Sequence, residues 1–330
     1  MNHECSTIPS WSNDIQEVGL NYGVRRTPLR VGPGRPAAGA GLIWIAAASA
    51  ILIWSGTPIA IKIAIADIDP MTAGVLRSML AGLIAIVVVT LSRLRLPSGL
   101  RARALLVIAG TTSFAVWPIL LSFGLGFTTA SHAALIMAII PVFTGLIAHA
   151  FERRWPRARW WFAAVVALTG STLLITQRHG GFALDPAGIV GDLIIVAGAA
   201  TCALGYVTGA RVTPLIGAPA TTVWGLACAS IILVPVFALL APHTEWADVS
   251  ASGWGGIVYL TLMSSVLGYG LWYWALSQGG AARVSSLQFG MPVPSLIMAA
   301  VVLGEAVTAT LVGAGAIILA GTWLAQRHAA

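Results

Sequence analysis

From Gly41 onward the chain alternates apolar runs of about 20 residues with short polar connections. A helix rising about 1.5 Å per residue needs a run of that length to cross ~30 Å of hydrocarbon. Inside a bilayer every backbone N–H and C=O must find its partner within the protein, so such runs fold as helices. Ten spans are predicted, at 41–63, 71–92, 103–124, 128–149, 159–176, 187–209, 220–241, 253–276, 281–303 and 306–325. Of 330 residues, 58% are hydrophobic and only 9% charged, too little polar surface to wet a soluble chain. The predicted fold class is an all-α membrane protein with ten transmembrane helices.

The chain also matches itself at an offset of 151 positions. Leu120, Leu125, Ala130 and Pro141 fall on Leu271, Leu276, Ala281 and Pro292, and Leu168, Gly170 and Leu173 fall on Leu319, Gly321 and Leu324. Each copy holds five spans, and an odd number turns the second copy upside down relative to the first. The expected architecture is two inverted five-helix repeats, at 41–177 and 187–325, preceded by a disordered cytoplasmic tail at 1–40. Such repeats place a binding site between the halves near the midplane and let one half rock against the other.

The formal charge of +7 reflects arginines between the spans, a topology signal that calls for no nucleic-acid partner. With the amino terminus inside, fifteen of the 18 Lys and Arg residues fall in cytoplasmic segments, while Arg178 stands outside and Lys62 and Arg77 lie within spans. Both termini are therefore expected in the cytoplasm, and the lipid bilayer is the protein's first partner. Cys5, Cys202 and Cys228 are too few and scattered for a disulfide framework, and no Cys/His spacing suits a metal. No cofactor is expected. The chain has no HExxH, no GxSxG and no paired carboxylates at mid-depth, so a polytopic membrane enzyme is the alternative to a transporter and lacks a recognisable catalytic motif.

Three stretches carry a family likeness. They are Trp54 to Lys62 (WSGTPIAIK), Thr129 to Val142 (TASHAALIMAIIPV), and Gly280 to Val293 (GAARVSSLQFGMPV) followed by Leu303, Gly304 and Glu305. With the helices around Gly170 and Gly321, they resemble the EamA-type family of the drug/metabolite transporter superfamily over roughly Gly41 to Ala325. The resemblance implies a ten-helix bundle that moves small metabolites, often outward, through a cavity lined mainly by spans 1, 3, 4, 6, 8 and 9. One departure is visible: Glu152 to Gly170 is two residues longer than Glu305 to Gly321.

The candidate substrate-binding residues are Trp54, Trp117, Met137, Tyr206, Tyr269, Trp272, Ser285 and Gln288. Rings with polar handles suit a cavity for a partly apolar solute and equally suit helix packing or the membrane interface. Ser285 and Gln288 share one face of the ninth span, where the fourth span offers Ala134 and Met137, so the two walls are unequal. Pro58, Pro141 and Pro292 are the candidate helix kinks. Lys62 and Arg77 are read as gating or anion-binding groups, because charge inside a span is expensive and marks function by default. Snorkelling to the interface is the competing reading for both. His132 is expected at the interface. Glu152, Asp192 and Glu305 are expected near helix ends, which leaves no mid-depth carboxylate for proton coupling. The function that follows is export of a small, partly apolar metabolite, amino acids or their derivatives ahead of sugars and nucleotides, across the cytoplasmic membrane.

Overall fold

The computed structural model of the chain describes residues 40–153, 155–176, 185–279 and 286–327. The predicted tail lies outside these residues apart from Ala40, and so does Ser285. Regular structure among the described residues is entirely helical. The first half contains α1 (Ala40–Ser55), α2 (Thr57–Ala64), α3 (Pro70–Ser92), α4 (Leu100–Gly110), α5 (Trp117–Leu125), α6 (Ala130–Met137), α7 (Ile140–Glu152) and α8 (Ala158–Thr176). The second contains α9 (Pro186–Ile216), α10 (Ala218–Leu240), α11 (Ala251–Val258), α12 (Gly268–Gly279), α13 (Pro292–Leu303) and α14 (Ala309–Arg327). Among the described residues, eight helical stretches, the first Gly41–Ala64 and the last Ala251–Trp272, are long and apolar enough to cross a membrane. Pro292–Leu303 and Ala309–Ala325 are apolar but shorter.

Proline sets where helices are interrupted. The first stretch divides at Gly56, and Pro58 stands in the opening turn of α2, where a missing N–H removes no helical bond. A turn at Ala138 and Ile139 separates α6 from α7, with Pro141 in the first turn of α7. Its counterpart Pro292 opens α13 after a 3-10 turn at Ser286–Gly290. The same interruption thus occurs in both copies.

A second repeated irregularity joins α4 to α5 and α11 to α12. Thr111–Val116 and Tyr259–Leu267 are π-helical, and moving the first by 151 positions puts it on 262–267, inside the second. Pro118 follows the first segment and cannot return the α-type bond to the carbonyl of Phe114. A π turn bonds each residue five positions along instead of four, which swings the following side chains around the helix axis.

Helix pairing is symmetric between the two halves. The most extensive pairs are α8 with α14 and α3 with α10. Helix α9 packs on α4, α5, α6 and α7, while α1 and α2 pack on α11, α12 and α13, and exchanging the halves converts α4, α5 and α7 into α11, α12 and α13. This pairing carries the internal repeat into three dimensions. Small residues make the closest contact: a Cβ at Gly170 would stand 2.8 Å from the backbone nitrogen of Ile318, and one at Gly321 would overlap the backbone of Ala167. Lipid supplies no hydrophobic drive between helices, so close van der Waals contact has to hold them, and glycine permits it. The outward surface is apolar, with Leu91, Phe162, Ile231 and Leu239 between 65% and 79% exposed. Water would penalise such a belt, whereas hydrocarbon accepts it.

Candidate functional site

Between the two halves lies a cavity of about 270 Å³. Its walls come from the interrupted and π-helical regions. Thr57 follows the Gly56 break; Met137, Ala138, Ile140 and Pro141 surround the α6–α7 turn; Gln288, Met291 and Pro292 surround the matching turn before α13. Ser113 and Phe114 lie on the first π segment, and Ser264 and Ser265 occupy the equivalent positions on the second. The irregular backbone of this membrane bundle thus borders a cavity, where freed polar groups can be satisfied.

One end of the site is an aromatic cluster. The Trp54 ring meets Tyr269 edge-on at 5.1 Å, and Phe114 meets Tyr269 edge-on at 5.3 Å. The indole N–H of Trp54 donates to the carbonyl of Ser264 at 2.9 Å, which ties the first-half ring to the second-half π segment. Gly268 makes room for that approach, since a Cβ there would stand 2.8 Å from Trp54 Nε1. The Thr57 and Ser264 hydroxyls share a hydrogen bond at 3.0 Å. Ser113 donates to the carbonyl of Cys202 at 3.3 Å.

Arg77 lines the same cavity from α3 and is 5% exposed. Its Nε and Nη1 are buried with no hydrogen-bond partner among the described residues. A buried guanidinium carries five donors and a full charge, so leaving it unanswered is costly. The cavity therefore combines ring faces, hydroxyls and one cation with two nitrogens unsatisfied among the described residues.

The profile of the EamA-like transporter family matches residues 40–176 and again residues 189–326. The chain belongs to the EamA family of the drug/metabolite transporter superfamily. Among similar proteins, the transporter YdeK of Bacillus subtilis (strain 168) is 28% identical over 87% of this chain and 97% of its own length. A transporter of Archaeoglobus fulgidus is 27% identical over 84% of this chain and 96% of its own. The inner membrane transporter YedA of Escherichia coli (strain K12) is 24% identical over 77% of this chain and 80% of its own. These relatives are named as transporters and not as enzymes. A solved crystal structure shares the fold with a TM-score of 0.59 at 19% identity, covering 88% of this chain and 98% of that one.

In this EamA chain the structure gathers Trp54, Trp117, Met137, Tyr206, Tyr269 and Gln288 around one cavity, with Arg77, Pro141 and Pro292. Trp272 is elsewhere. It is buried behind Trp54, 5.5 Å ring to ring, among Ile43, Ala46 and Ala50 of α1. It shares a stripe with Tyr269 but lies a turn further along, where α1 covers the helix, so it supports Trp54 from the rear. Lys62 is also off the cavity. Its ammonium donates to the carbonyl of Leu125 at 3.0 Å, and it borders a separate depression with Glu305. Pro58 is buried and outside the cavity lining.

One expectation about a charged group is corrected. His132 is no interfacial residue: it is buried, and its Nδ1 lies 2.9 Å from Oδ2 of Asp192. Asp192 is fully buried although it falls near a helix end, six residues into α9, and Thr128 donates to its other oxygen at 2.6 Å. Helix packing of α6 on α9 closes over both, which a single-helix reading cannot show. Glu305 accepts from the backbone N–H groups of Ala130 and Ser131 at 2.7 and 2.8 Å and from the Ser131 hydroxyl at 2.6 Å. It caps α6 from the opposite half, where the positive end of the helix dipole favours a carboxylate.

Sequence reasoning missed Ser113, Phe114, Ser264, Ser265 and Thr57 as wall residues. A signal existed in the equivalence of Ser113 and Ser264 at the 151-residue offset.

Proposed function

We propose that the chain is a secondary transporter of the cytoplasmic (inner) membrane that exports small organic metabolites, amino acids or related amphiphilic compounds, by alternating access. The architecture it uses is ten spans in two inverted five-helix repeats with both termini cytoplasmic. Support comes from the 151-residue self-match, the placement of fifteen basic residues on one side, and the symmetric helix pairing. The inner-membrane name of YedA supports the location.

The observation that carries the reading is the cavity walled by matching elements of both halves, with Arg77 unsatisfied within it. On this topology the starts of α6 and α11 face outward. Glu305 of the second half binds the first, and Asp67 of the first half accepts from Ser250 at the second. These carboxylates cross between halves and hold the outer side shut, so that rocking must break both before the cavity opens outward.

Reconstitution into vesicles with a panel of labelled metabolites tests the function. Efflux of at least one compound is expected above the rate of protein-free vesicles, with loss of that excess in Trp54→Ala. A panel that never exceeds the protein-free rate overturns the reading.

A further inference from the structure

We infer that, of the two classes proposed above, the substrate is a related amphiphilic compound and not a free amino acid: an organic monoanion with an apolar, ring-bearing body, and not a zwitterion or a cation; this rests on the transport reading of the cavity. Arg77 is the one cation lining the cavity among the described residues, and its Nε and Nη1 have no partner there. Among the described residues no acid lines the cavity. The acids of the neighbouring helix ends are already engaged: Asp192 with His132 and Thr128, Glu305 with the start of α6, Asp67 with Ser250, and Asp69 as the cap of α3. The site therefore holds a buried cation beside Tyr269, two of whose guanidinium nitrogens have no hydrogen-bond partner among the described residues, and a ligand anion can balance it.

An anionic head group with two or three oxygens matches the guanidinium fork. A zwitterion would satisfy Arg77 equally well with its carboxylate, but its ammonium would leave water with no carboxylate to receive it. The lining hydroxyls and the Gln288 amide could accept from it but offer only neutral lone pairs, and those of Thr57, Ser264 and Ser113 already take part in the Thr57–Ser264 and Ser113–Cys202 bonds. A cation meets Arg77 directly and is repelled. The body is specified by Trp54, Phe114 and Tyr269, whose edge-to-face packing makes an apolar wall across the cavity from both halves. A monoanion thus turns a cavity of net charge +1 into a neutral one on loading, whereas a zwitterion leaves its charge unchanged.

The test uses the full chain in detergent and four probes that share one body: 3-phenylpropionate, phenylalanine, phenethylamine and 3-phenylpropionamide, at pH 7. Quenching of tryptophan fluorescence reads binding, because Trp54 and Trp117 line the site. Binding of 3-phenylpropionate is expected about ten-fold or more tighter than each of the others, the scale of a charge-assisted hydrogen-bonded pair. Arg77→Gln should reduce that preference to about three-fold or less, and Arg77→Lys should keep its sign; size-exclusion profiles check that both variants fold. Phenylalanine binding as tightly as 3-phenylpropionate, a preference unchanged in Arg77→Gln, or binding of none of the four would overturn the inference. Vesicle efflux of 2-phenylethanesulfonate, which stays ionised and does not leak as a neutral acid, separates the two levels. Arg77-dependent binding without efflux removes the transport reading, and efflux of all charge types at equal rates removes the monoanion.

Discussion

His132 Nδ1 stands 2.9 Å from Asp192 Oδ2, and this contact joins α6 of the first half to α9 of the second inside the bundle. His132→Ala leaves the Asp192 side chain buried with one hydrogen-bond partner removed, and a buried polar group left in this way costs about 1–3 kcal/mol, more where it is charged. The thermal midpoint of the detergent-purified protein should fall clearly. Replacing both residues by leucine should recover more than half of the loss, since no buried polar group is then left without its partner. Equal midpoints for wild type and His132→Ala would show that the pair holds nothing together.

Glu305→Ala removes three hydrogen bonds to the start of α6. Charge-assisted bonds contribute about 1.5–3 kcal/mol each, so the variant should open outward at least about ten-fold more often. In a background without native cysteines, Thr57→Cys reports this through its labelling rate with a membrane-impermeant thiol reagent added outside. An unchanged rate would remove Glu305 from the outer closure.

Gly170→Val and Gly321→Val should both destabilise the α8–α14 contact. Each new side chain meets backbone that cannot move aside, Ile318 in one case and Ala167 in the other. Overpacking of this kind costs about 1–3 kcal/mol, read as a lowered midpoint and poorer yield. Gly313→Val on the same helix serves as the control, because nothing lies within 4 Å of its Cβ. A control as damaging as the two test variants would refute the packing argument.

Trp54→Phe keeps a ring but deletes the bond to the Ser264 carbonyl, a loss of about 1 kcal/mol. Substrate affinity should weaken about three- to ten-fold, while Trp54→Ala, which also removes the aromatic wall, should abolish measurable transport. Gln288→Ala loses one neutral donor and acceptor and should weaken affinity by less than about ten-fold. Vesicle transport at graded substrate concentration ranks the three, and a Gln288 effect larger than that of Trp54→Ala would move the centre of the site towards α13.

The sites that could be read ahead of the structure are those whose chemistry is local. Pro141 and Pro292 announce interrupted helices because proline lacks an N–H wherever it stands. Arg77 announces itself because a charge within an apolar run is conspicuous. Trp272 was placed with Tyr269 because a helical stripe shows angle but not which neighbour covers it. Ser113 and Ser264 were passed over because π turns change the phase of the helix, and a regular 100° repeat contains no such shift.

By itself the sequence determined a membrane-spanning helical chain written twice, since apolar length and periodicity are properties of a segment and lipid permits it few alternatives. Only the tertiary structure decided that His132 meets Asp192 across 60 positions, that Glu305 caps a helix 174 and 175 positions away, and that Arg77 Nε and Nη1 have no hydrogen-bond partner among the described residues. Those are relations between helices. They depend on which face meets which and at what depth, and close contact between small residues sets both.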